Sequence, residues 1–186
     1  MIKHQRPSRR SAPTDGICDE CTAIIAAQGV RPAIKFLNDR TRFRFTGVYR
    51  VDPPQLRNLV LFDRENPELN LSGGVTRLHD TYCALTYASG PFETDDSRSD
   101  HRLTDHASRH SIISYAGVPL RLANGQVWGT LCHFDLRPRL LPHGERALLE
   151  SVAPALVASF QRDQSEPVAF TDPSSRAPRG SAVPRS

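Results

Sequence analysis

The chain has 186 residues, of which 38% are hydrophobic and 24% charged, and this length and composition predict one folded domain. No apolar run approaches the roughly 20 residues of a membrane-spanning helix, and the basic first residues lead into no hydrophobic stretch, which speaks against a membrane protein and a secretory signal. The formal net charge of +4 comes mostly from the two ends, so the central part is close to neutral. A nucleic-acid-binding domain would carry its basic patch on the folded surface, and we do not expect nucleic acid as a partner.

Composition changes at both ends of the chain. Residues 1–14 are basic, and residues 163–186 are rich in proline and serine with few large apolar side chains. Such segments bury too little apolar surface to offset the entropy of ordering. We therefore predict two disordered tails and a folded unit at 15–162.

The first half of that unit predicts two helices and a β-hairpin. Apolar residues recur at helical spacing over 14–29, and a second, shorter helix is predicted at 32–39. The pattern then changes to the alternation of a strand at 43–51. A proline turn and a second strand at 56–62 complete the hairpin.

The region after this hairpin predicts a helix at 76–88, a short strand at 92–97 and a polar loop at 100–110. The last helix carries a continuous apolar stripe, with Pro154 inside it, where a kink or a weakened turn near Glu150 is expected. The stripe consists of Leu148, Leu149, Val152, Ala153, Leu156, Val157 and Phe160.

A second hairpin is the clearest local signal. Strands at 112–122 and 126–135 flank Asn124-Gly125, the dipeptide typical of a type I′ turn. Pro119 requires that its strand be an edge there or carry a bulge. The whole order of elements predicts an α+β domain with helices packed on an antiparallel sheet of about five or six strands.

The segment 114–132 reads Y-x-G-V-P-L, then Asn124-Gly125, then V-x-G-T-L-C, and it resembles the C-terminal hairpin of GAF domains. Upstream, T-Y-C at 81–83 and the stretch 90–103 are similar to the middle of that family, with His101 in place of its usual proline. The resemblance covers about residues 15–162.

This resemblance implies a GAF/PAS-like sheet with the first and last helices on one face and a middle helix and loops on the other, where they enclose a small-molecule pocket. Members of the family bind cyclic nucleotides, bilins, haem or small metabolites, or serve as ligand-free dimerisation scaffolds. It therefore implies a stand-alone cytoplasmic sensor of unknown ligand and cofactor. Its output in signal transduction would pass through a homodimer or a separate signalling protein.

Cys83 is the first candidate for chemistry. His79 lies one turn before it on the predicted helix, and an imidazolium there would lower the thiol pKa, so that Cys83 could act as a nucleophile, a covalent anchor or a metal ligand. The alternative is a small buried side chain that packs like a hydrophobe.

Cys132 and His133 are neighbours on the last strand, so their side chains point to opposite faces and only one reaches the pocket. Both faces of that strand are apolar, which leaves the choice open, and a histidine in this setting is more typical of a core residue than of a ligand contact.

The dense polar segment 95–102 predicts either a lid with hydrogen-bonding groups or a solvated loop. The candidate ligand-binding residues are therefore His79, Cys83, Asp95, Asp96, Arg98, Asp100, His101, Arg102, Tyr115, Cys132 and His133. No catalytic or metal-binding residue is predicted.

Four cysteines without a secretion signal predict free thiols in a reducing compartment. Cys18 and Cys21 form an isolated C-x-x-C on an amphipathic helix, which is more typical of core or interface packing than of a redox site. A zinc site combining this pair with His79 and Cys83 would require the helices to converge.

An enzyme is the alternative function. One stand-alone GAF family reduces free methionine sulfoxide with pocket cysteines carried in its central loops. In this chain that region offers only Cys83, and the segment 95–110 has no cysteine. This departure weighs against the enzymatic interpretation.

Overall fold

Six antiparallel strands form one sheet in the computed structural model, which describes residues 13–165 of the chain. The strands are β1 (Phe45–Asp52), β2 (Gln55–Asp63), β3 (Val75–Arg77), β4 (Phe92–Thr94), β5 (Ser114–Arg121) and β6 (Val127–Asp135). They lie in the order β3-β2-β1-β6-β5-β4, so the two predicted hairpins meet at the centre of the sheet. The predicted α+β class and antiparallel sheet are confirmed.

Four α-helices accompany the sheet within the described residues: α1 (Pro13–Gln28), α2 (Val30–Asp39), α3 (Cys83–Ser89) and α4 (Glu145–Ser165). The chain turns between α1 and α2 at Gly29, whose φ of 90° is accessible to glycine without strain. The predicted bounds of α1 and α2 agree with the structure to within two residues.

α1, α2 and α4 cover one face of the sheet. The largest apolar cluster lies between them and the strands β1, β2, β5 and β6, and it includes Ile25, Ile34, Leu37, Val48, Val118, Leu120, Leu131, Leu149, Val152 and Leu156. Burial of one side chain of this size contributes roughly 1.5–3 kcal/mol. This face of the sheet therefore supplies most of the stability of the fold.

α3 and the loop after β4 cover the other face. A smaller buried cluster lies there, made of Val51, Leu56, Leu78, Tyr82, Cys83, Leu103, Tyr115 and Cys132. The expected division, with terminal helices on one face and the middle helix and loops on the other, is confirmed.

The helix predicted at 76–88 is wrong in its first half. Val75–Arg77 form the edge strand β3, which pairs with β2, and Leu78–Asp80 make a single 3₁₀ turn before α3 begins at Cys83. The unpaired backbone groups along the edge of β2 offer hydrogen bonds to these residues, and this pairing outweighs a weak helical propensity.

β4 begins at Phe92, which pairs with Gly117 of β5. Pro119 lies two residues beyond Gly117 and has no partner in β4, so β5 is an edge strand at the proline, as predicted. Further along, a shift of register leaves Trp128 of β6 without a partner. This bulge turns Trp128 towards the helices, where its ring centroid lies 5.6 Å from that of Phe160.

α4 continues through Pro154 to Ser165. Pro154 and Glu150 are both exposed, so the carbonyl that the proline leaves without a helical donor is on the solvent side. The predicted tails lie outside the described residues, apart from 13–14 in α1 and 163–165 in α4. Within 13–165, no helix combines the length and the apolar character needed to cross a membrane.

Candidate functional site

A cavity of about 150 Å³ lies between the sheet and α3. Its lining side chains are Tyr49, Leu56, Thr76, Thr81, Tyr82, Cys83, Ser108, Ile112, Tyr115, Cys132 and Phe134. None of these lining residues carries a formal charge at neutral pH unless a thiol ionises. Thr76 of β3 is the most exposed of them, which places the solvent end of the cavity near that edge strand.

The floor of the cavity is a row across three strands. Cys132 of β6 pairs with Gly47 of β1 on one side and with Gly117 of β5 on the other. A methyl group added at Gly117 would meet the Tyr115 hydroxyl oxygen at 2.2 Å, and one added at Gly47 would meet the Tyr49 ring at 2.8 Å. Each tyrosine therefore lies over a glycine two positions away on the same face of its strand.

The hydroxyl of Tyr115 joins this floor to α3. It donates to Sγ of Cys83 at 3.5 Å, and it lies 3.0 Å from Oγ1 of Thr86. A phenol has one proton, so donation to the sulfur leaves Thr86 as the donor to Tyr115. Burial raises the pKa of Tyr115 well above its ordinary value, and the hydroxyl therefore keeps its proton.

The thiols of Cys83 and Cys132 are neighbours in the cavity wall, and the two residues are only 4% and 1% exposed. The neighbouring Cys132 thiol lowers the pKa of Cys83, and burial opposes this effect. Burial raises the pKa of Cys132 well above its ordinary value. Of the two thiols, Cys83 is therefore the one that loses its proton at the lower pH.

Thr130 lies beside Cys83, on the same face of β6 as Cys132. Its hydroxyl is buried and has no well-aligned hydrogen-bond partner among the described residues. A hydroxyl in this position donates to the sulfur once Cys83 is ionised, which favours the thiolate and helps to lower the pKa of Cys83.

His133 points to the face of β6 opposite the cavity, which decides the alternative that the sequence left open. The residue is fully buried, its Nδ1 lies 2.7 Å from Oγ1 of Thr46, and its ring stacks 5.7 Å from that of Phe43. Burial, with a smaller effect from the charge of Arg64, lowers the pKa of His133 to about 3. Cys132 thus faces the cavity, and His133 is a neutral residue of the core on the helix side.

The segment 95–102 does not line the cavity. Its side chains pair with one another: Arg98 with Asp96 at 2.7 Å and Arg102 with Asp100 at 2.6 Å. These hydrogen bonds lower the pKa of both carboxyl groups, that of Asp100 to about 2. The ion pairs hold these side chains at a separate surface depression formed by residues of 93–102, so their contact with a ligand stays a prediction.

Arg102 nonetheless supports the cavity side from outside. It donates to the carbonyl of Glu93 at 2.7 Å, and its guanidinium lies 4.7 Å from the ring of Phe92, which packs on the smaller apolar cluster. Asp95 and His101 are exposed. The loop acts here as a cover for the cluster rather than as part of the cavity wall.

His79 also lies away from the cavity. It belongs to the 3₁₀ turn rather than to α3, so the helical spacing that placed it beside Cys83 does not apply. Its side chain is 70% exposed and pairs with Asp80 at 2.9 Å. The groups that lower the pKa of Cys83 are instead, from the largest effect to the smallest, Cys132, Thr130, Tyr115 and Thr81.

The isolated C-x-x-C lies on the other side of the sheet. Cys21 is fully buried in the cluster beneath the helices, with Cys18 packed against it, and burial raises the pKa of Cys21 to about 11. The sheet separates this pair from Cys83, so the helices do not converge on a joint zinc site. Within residues 13–165, no three His, Cys, Asp or Glu side chains are grouped as metal ligands would be.

Several residues that line the cavity were not among the site residues predicted from the sequence. Tyr49, Tyr82 and Phe134 supply most of the aromatic wall, and Tyr82 lies with its ring 4.5 Å from that of His106. A usable signal for Tyr49 was its position two residues after Gly47, which mirrors Tyr115 two residues before Gly117. The other contacts join segments far apart in the chain, for which local periodicity gives no signal.

The chain is similar to known proteins in sequence and in fold. Residues 18–159 match the sequence profile of the GAF domain. A search of curated proteins found no significant match. The GAF domain of an Acinetobacter phosphoenolpyruvate-protein phosphotransferase superposes with a TM-score of 0.66 at 13% identity, over 83% of this chain and 96% of that one.

Two further structures are similar in fold. The free methionine-R-sulfoxide reductase of Neisseria meningitidis, solved with its substrate, has a TM-score of 0.60 at 16% identity and covers 87% of this chain and 98% of its own. The phycocyanobilin-bound GAF domain of a cyanobacterial phytochrome has a TM-score of 0.57 at 14% identity, with 83% and 97% covered. At these identities the likeness concerns the fold alone.

Proposed function

The chain belongs to the GAF domain family, and from this premise we propose that it is a sensory module that binds a small molecule in the cavity between the sheet and α3. The observation that carries the proposal is the cavity itself, which lies on the face of the sheet away from the larger core. Small-molecule sites are usually clefts or cavities whose apolar wall carries a few polar groups.

The size and lining of the cavity support a particular class of ligand. A volume near 150 Å³ holds a molecule about as large as benzene. The wall offers hydroxyl and thiol groups but no side chain with a full charge other than an ionised Cys83. We therefore propose a small neutral metabolite with an apolar body and one or two hydrogen-bonding groups.

The output of such a sensor passes to a partner molecule. We propose that a second copy of the chain or a separate signalling protein receives it, in the cytoplasm, and that α1 and α4 carry the contact. Half-buried apolar residues of these helices, Ile17, Ile24 and Phe160, support this choice of surface.

A thermal-shift screen of small neutral compounds tests the proposal, because a ligand stabilises the state that binds it by RT ln(1 + [L]/Kd). Cys83→Met, which extends a side chain into the cavity, should abolish the shift of any hit. Cys83→Ser, of nearly unchanged volume, should retain most of it. A hit whose shift survives Cys83→Met binds elsewhere, and that result would refute this location.

The second candidate is a thiol-dependent enzyme that reduces free methionine sulfoxide. The neighbouring thiols of Cys83 and Cys132 favour it, since the sequence alone offered only one cysteine in this region. The absence of cysteine from 95–110 speaks against it. Incubation of the protein with free methionine sulfoxide and a thiol reductant distinguishes the two functions. Sustained formation of methionine that is lost in Cys83→Ser would support the enzyme and replace the sensor proposal.

A further inference from the structure

Cys83 and Cys132 come from distant parts of the chain, the first residue of α3 and the centre of β6, and the fold brings both side chains into one buried cluster and into the wall of the same cavity. We propose that these two cysteines are a peroxide-reactive dithiol, in which a small hydroperoxide entering the cavity oxidises Cys83 and the pair then closes to a disulfide. This inference goes beyond ligand sensing and does not depend on it.

The surroundings assign a role to each sulfur. Cys83 accepts a hydrogen bond from the Tyr115 hydroxyl at 3.5 Å, and the Cys132 thiol and the hydroxyls of Thr130 and Thr81 also favour its ionised form. Burial and the neighbouring Cys83 keep Cys132 protonated, although the Tyr115 hydroxyl partly opposes this effect. A thiolate is the nucleophilic form of cysteine, so Cys83 attacks first and Cys132 resolves the product.

The reaction balances with a hydroperoxide as the only co-reactant. The Cys83 thiolate attacks one peroxide oxygen, the O–O bond breaks, and the departing oxygen takes up a proton and leaves as water or an alcohol. Cys83 is then a sulfenic acid. The Cys132 sulfur attacks the sulfur of that acid, its proton leaves with the hydroxyl as water, and the S–S bond forms. Two thiols are oxidised by two electrons, and the hydroperoxide is reduced by two.

Access to the cavity restricts the oxidant. Both thiols are almost fully buried, and the cavity of about 150 Å³ reaches solvent near Thr76. Hydrogen peroxide, little larger than water, fits this space. Glutathione disulfide is several times larger than the cavity, so it should not reach either sulfur in the folded protein.

Cys18 and Cys21 provide an internal comparison. Cys21 is as deeply buried as the cavity pair, but burial raises its pKa to about 11, and its sulfur lies in the packed core rather than in a cavity wall. We therefore expect peroxide to leave Cys21 reduced under conditions that oxidise Cys83.

The test treats the folded, reduced chain with hydrogen peroxide, blocks the remaining thiols by alkylation and maps disulfides by mass spectrometry of non-reduced peptides. The expected result is a Cys83–Cys132 disulfide, with Cys21 alkylated. An equal excess of glutathione disulfide should leave the pair reduced. Persistence of both thiols under excess peroxide, or a disulfide confined to Cys18 and Cys21, would overturn the proposal.

Two variants separate the roles. Cys132→Ser should stop the reaction at the sulfenic acid of Cys83, which a dimedone-type reagent traps, and Cys83→Ser should leave Cys132 unmodified. Trapping at Cys132 in Cys83→Ser, at the rate seen for Cys83, would overturn the assignment. If either variant fails to fold, the peptide map of the unaltered chain still decides. If the disulfide forms but no compound gives a thermal shift, the result contradicts the ligand-sensing proposal and supports the dithiol proposal.

Discussion

The hydroxyl of Tyr115 lies 3.5 Å from the sulfur of Cys83, and this contact joins the floor of the cavity to the first residue of α3. Tyr115 reaches the sulfur because the strand carries Gly117 where a side chain would occupy the space of the ring. The reactivity of a cysteine on α3 is thus coupled to the absence of a side chain on β5.

Tyr115→Phe should raise the pKa of Cys83, since the thiolate loses one of its hydrogen bonds although the larger contribution of Cys132 remains. A hydrogen bond worth about 0.5–1.5 kcal/mol corresponds to a roughly 2- to 10-fold smaller thiolate fraction near neutral pH. The pH dependence of Cys83 alkylation, followed by peptide mass spectrometry, measures this change.

Tyr82→Phe is the matched control for that experiment. Its hydroxyl donates to the carbonyl of Ile112 at 3.1 Å, and no hydrogen bond joins it to Cys83. The alkylation profile of Cys83 should be nearly unchanged in this variant. An equal shift in both variants would mean that any lost hydroxyl loosens the cavity, rather than that Tyr115 acts on the sulfur.

Gly117→Ala should destabilise the fold by about 1–3 kcal/mol, because the new methyl group overlaps the Tyr115 ring and a packed face relaxes incompletely. Urea unfolding measures the loss. In a Tyr115→Ala background the same change should cost much less, which a double-mutant cycle reveals.

Gly16→Ala is the control for the cost of adding a methyl group. Gly16 lies inside α1, and an added Cβ would meet no atom within 4 Å. This change should stabilise the chain by about 0.5–1 kcal/mol, since alanine favours a helix more than glycine does. A Gly117→Ala protein as stable as the unaltered chain would contradict the described position of the Tyr115 ring.

Stability should fall as the pH drops from about 7.5 to 5, because the pKa of His133 in the folded state is lowered to about 3. Below its ordinary pKa near 6.5, the histidine binds a proton in the unfolded chain but not in the folded one, so protonation favours unfolding. The expected loss from this residue is about 2 kcal/mol at pH 5. Urea unfolding at the two pH values measures it.

His133→Asn should flatten this pH dependence while lowering stability at both pH values. The comparison isolates the histidine from other groups that titrate over the range, such as Glu145, whose pKa burial raises. Identical slopes for both proteins would show that His133 is not held neutral in the fold.

The proposed homodimer predicts twice the monomer mass in light scattering at micromolar concentration. Ile24→Lys, at a half-buried position of α1 beside the core, should give a folded monomer, whereas Thr22→Lys at an exposed position should stay dimeric. Leu156→Asp is unsuitable for this purpose, because Leu156 is fully buried within one chain and its replacement disrupts the core itself. A monomer for the unaltered chain would rule out the dimer.

The sequence was most informative where one short-range rule decides the structure. Asn124-Gly125 predicted the place of the second hairpin, but its turn is not type I′, because only Gly125 has a positive φ. The N–H of Gly125 donates to the carbonyl of Leu122, so Ala123 and Asn124 form the centre of the turn and Gly125 follows it in the left-handed region. Pro119 required the edge position that β5 has there. The position of α1 followed from the spacing of apolar residues, because one side of the helix faces the core. That of α2 followed from Pro32, which is favoured in the first turn of a helix.

The sequence was least informative where contacts between distant residues decide. β3 forms because the edge of β2 is available, a fact that no window around Val75 contains. Periodicity could not distinguish the cavity side of β6 from the helix side, because Cys132 and His133 are both fully buried. The ion pairs that keep 95–102 on the surface compete with ligand contacts, and the sequence pattern fits both equally well.

β6 has a hydrogen-bonded neighbour on each side at Cys132, from β1 and from β5. Such a strand is released only when the whole domain unfolds, whereas a seven-residue helix such as α3 opens at much lower free energy. A reagent too large for the opening of the cavity near Thr76 therefore reaches Cys132 in the folded chain only past α3 and the turn before it. The labelling rate of the Cys132 thiol would therefore measure how often α3 and the turn before it open, separately from global unfolding of the sheet.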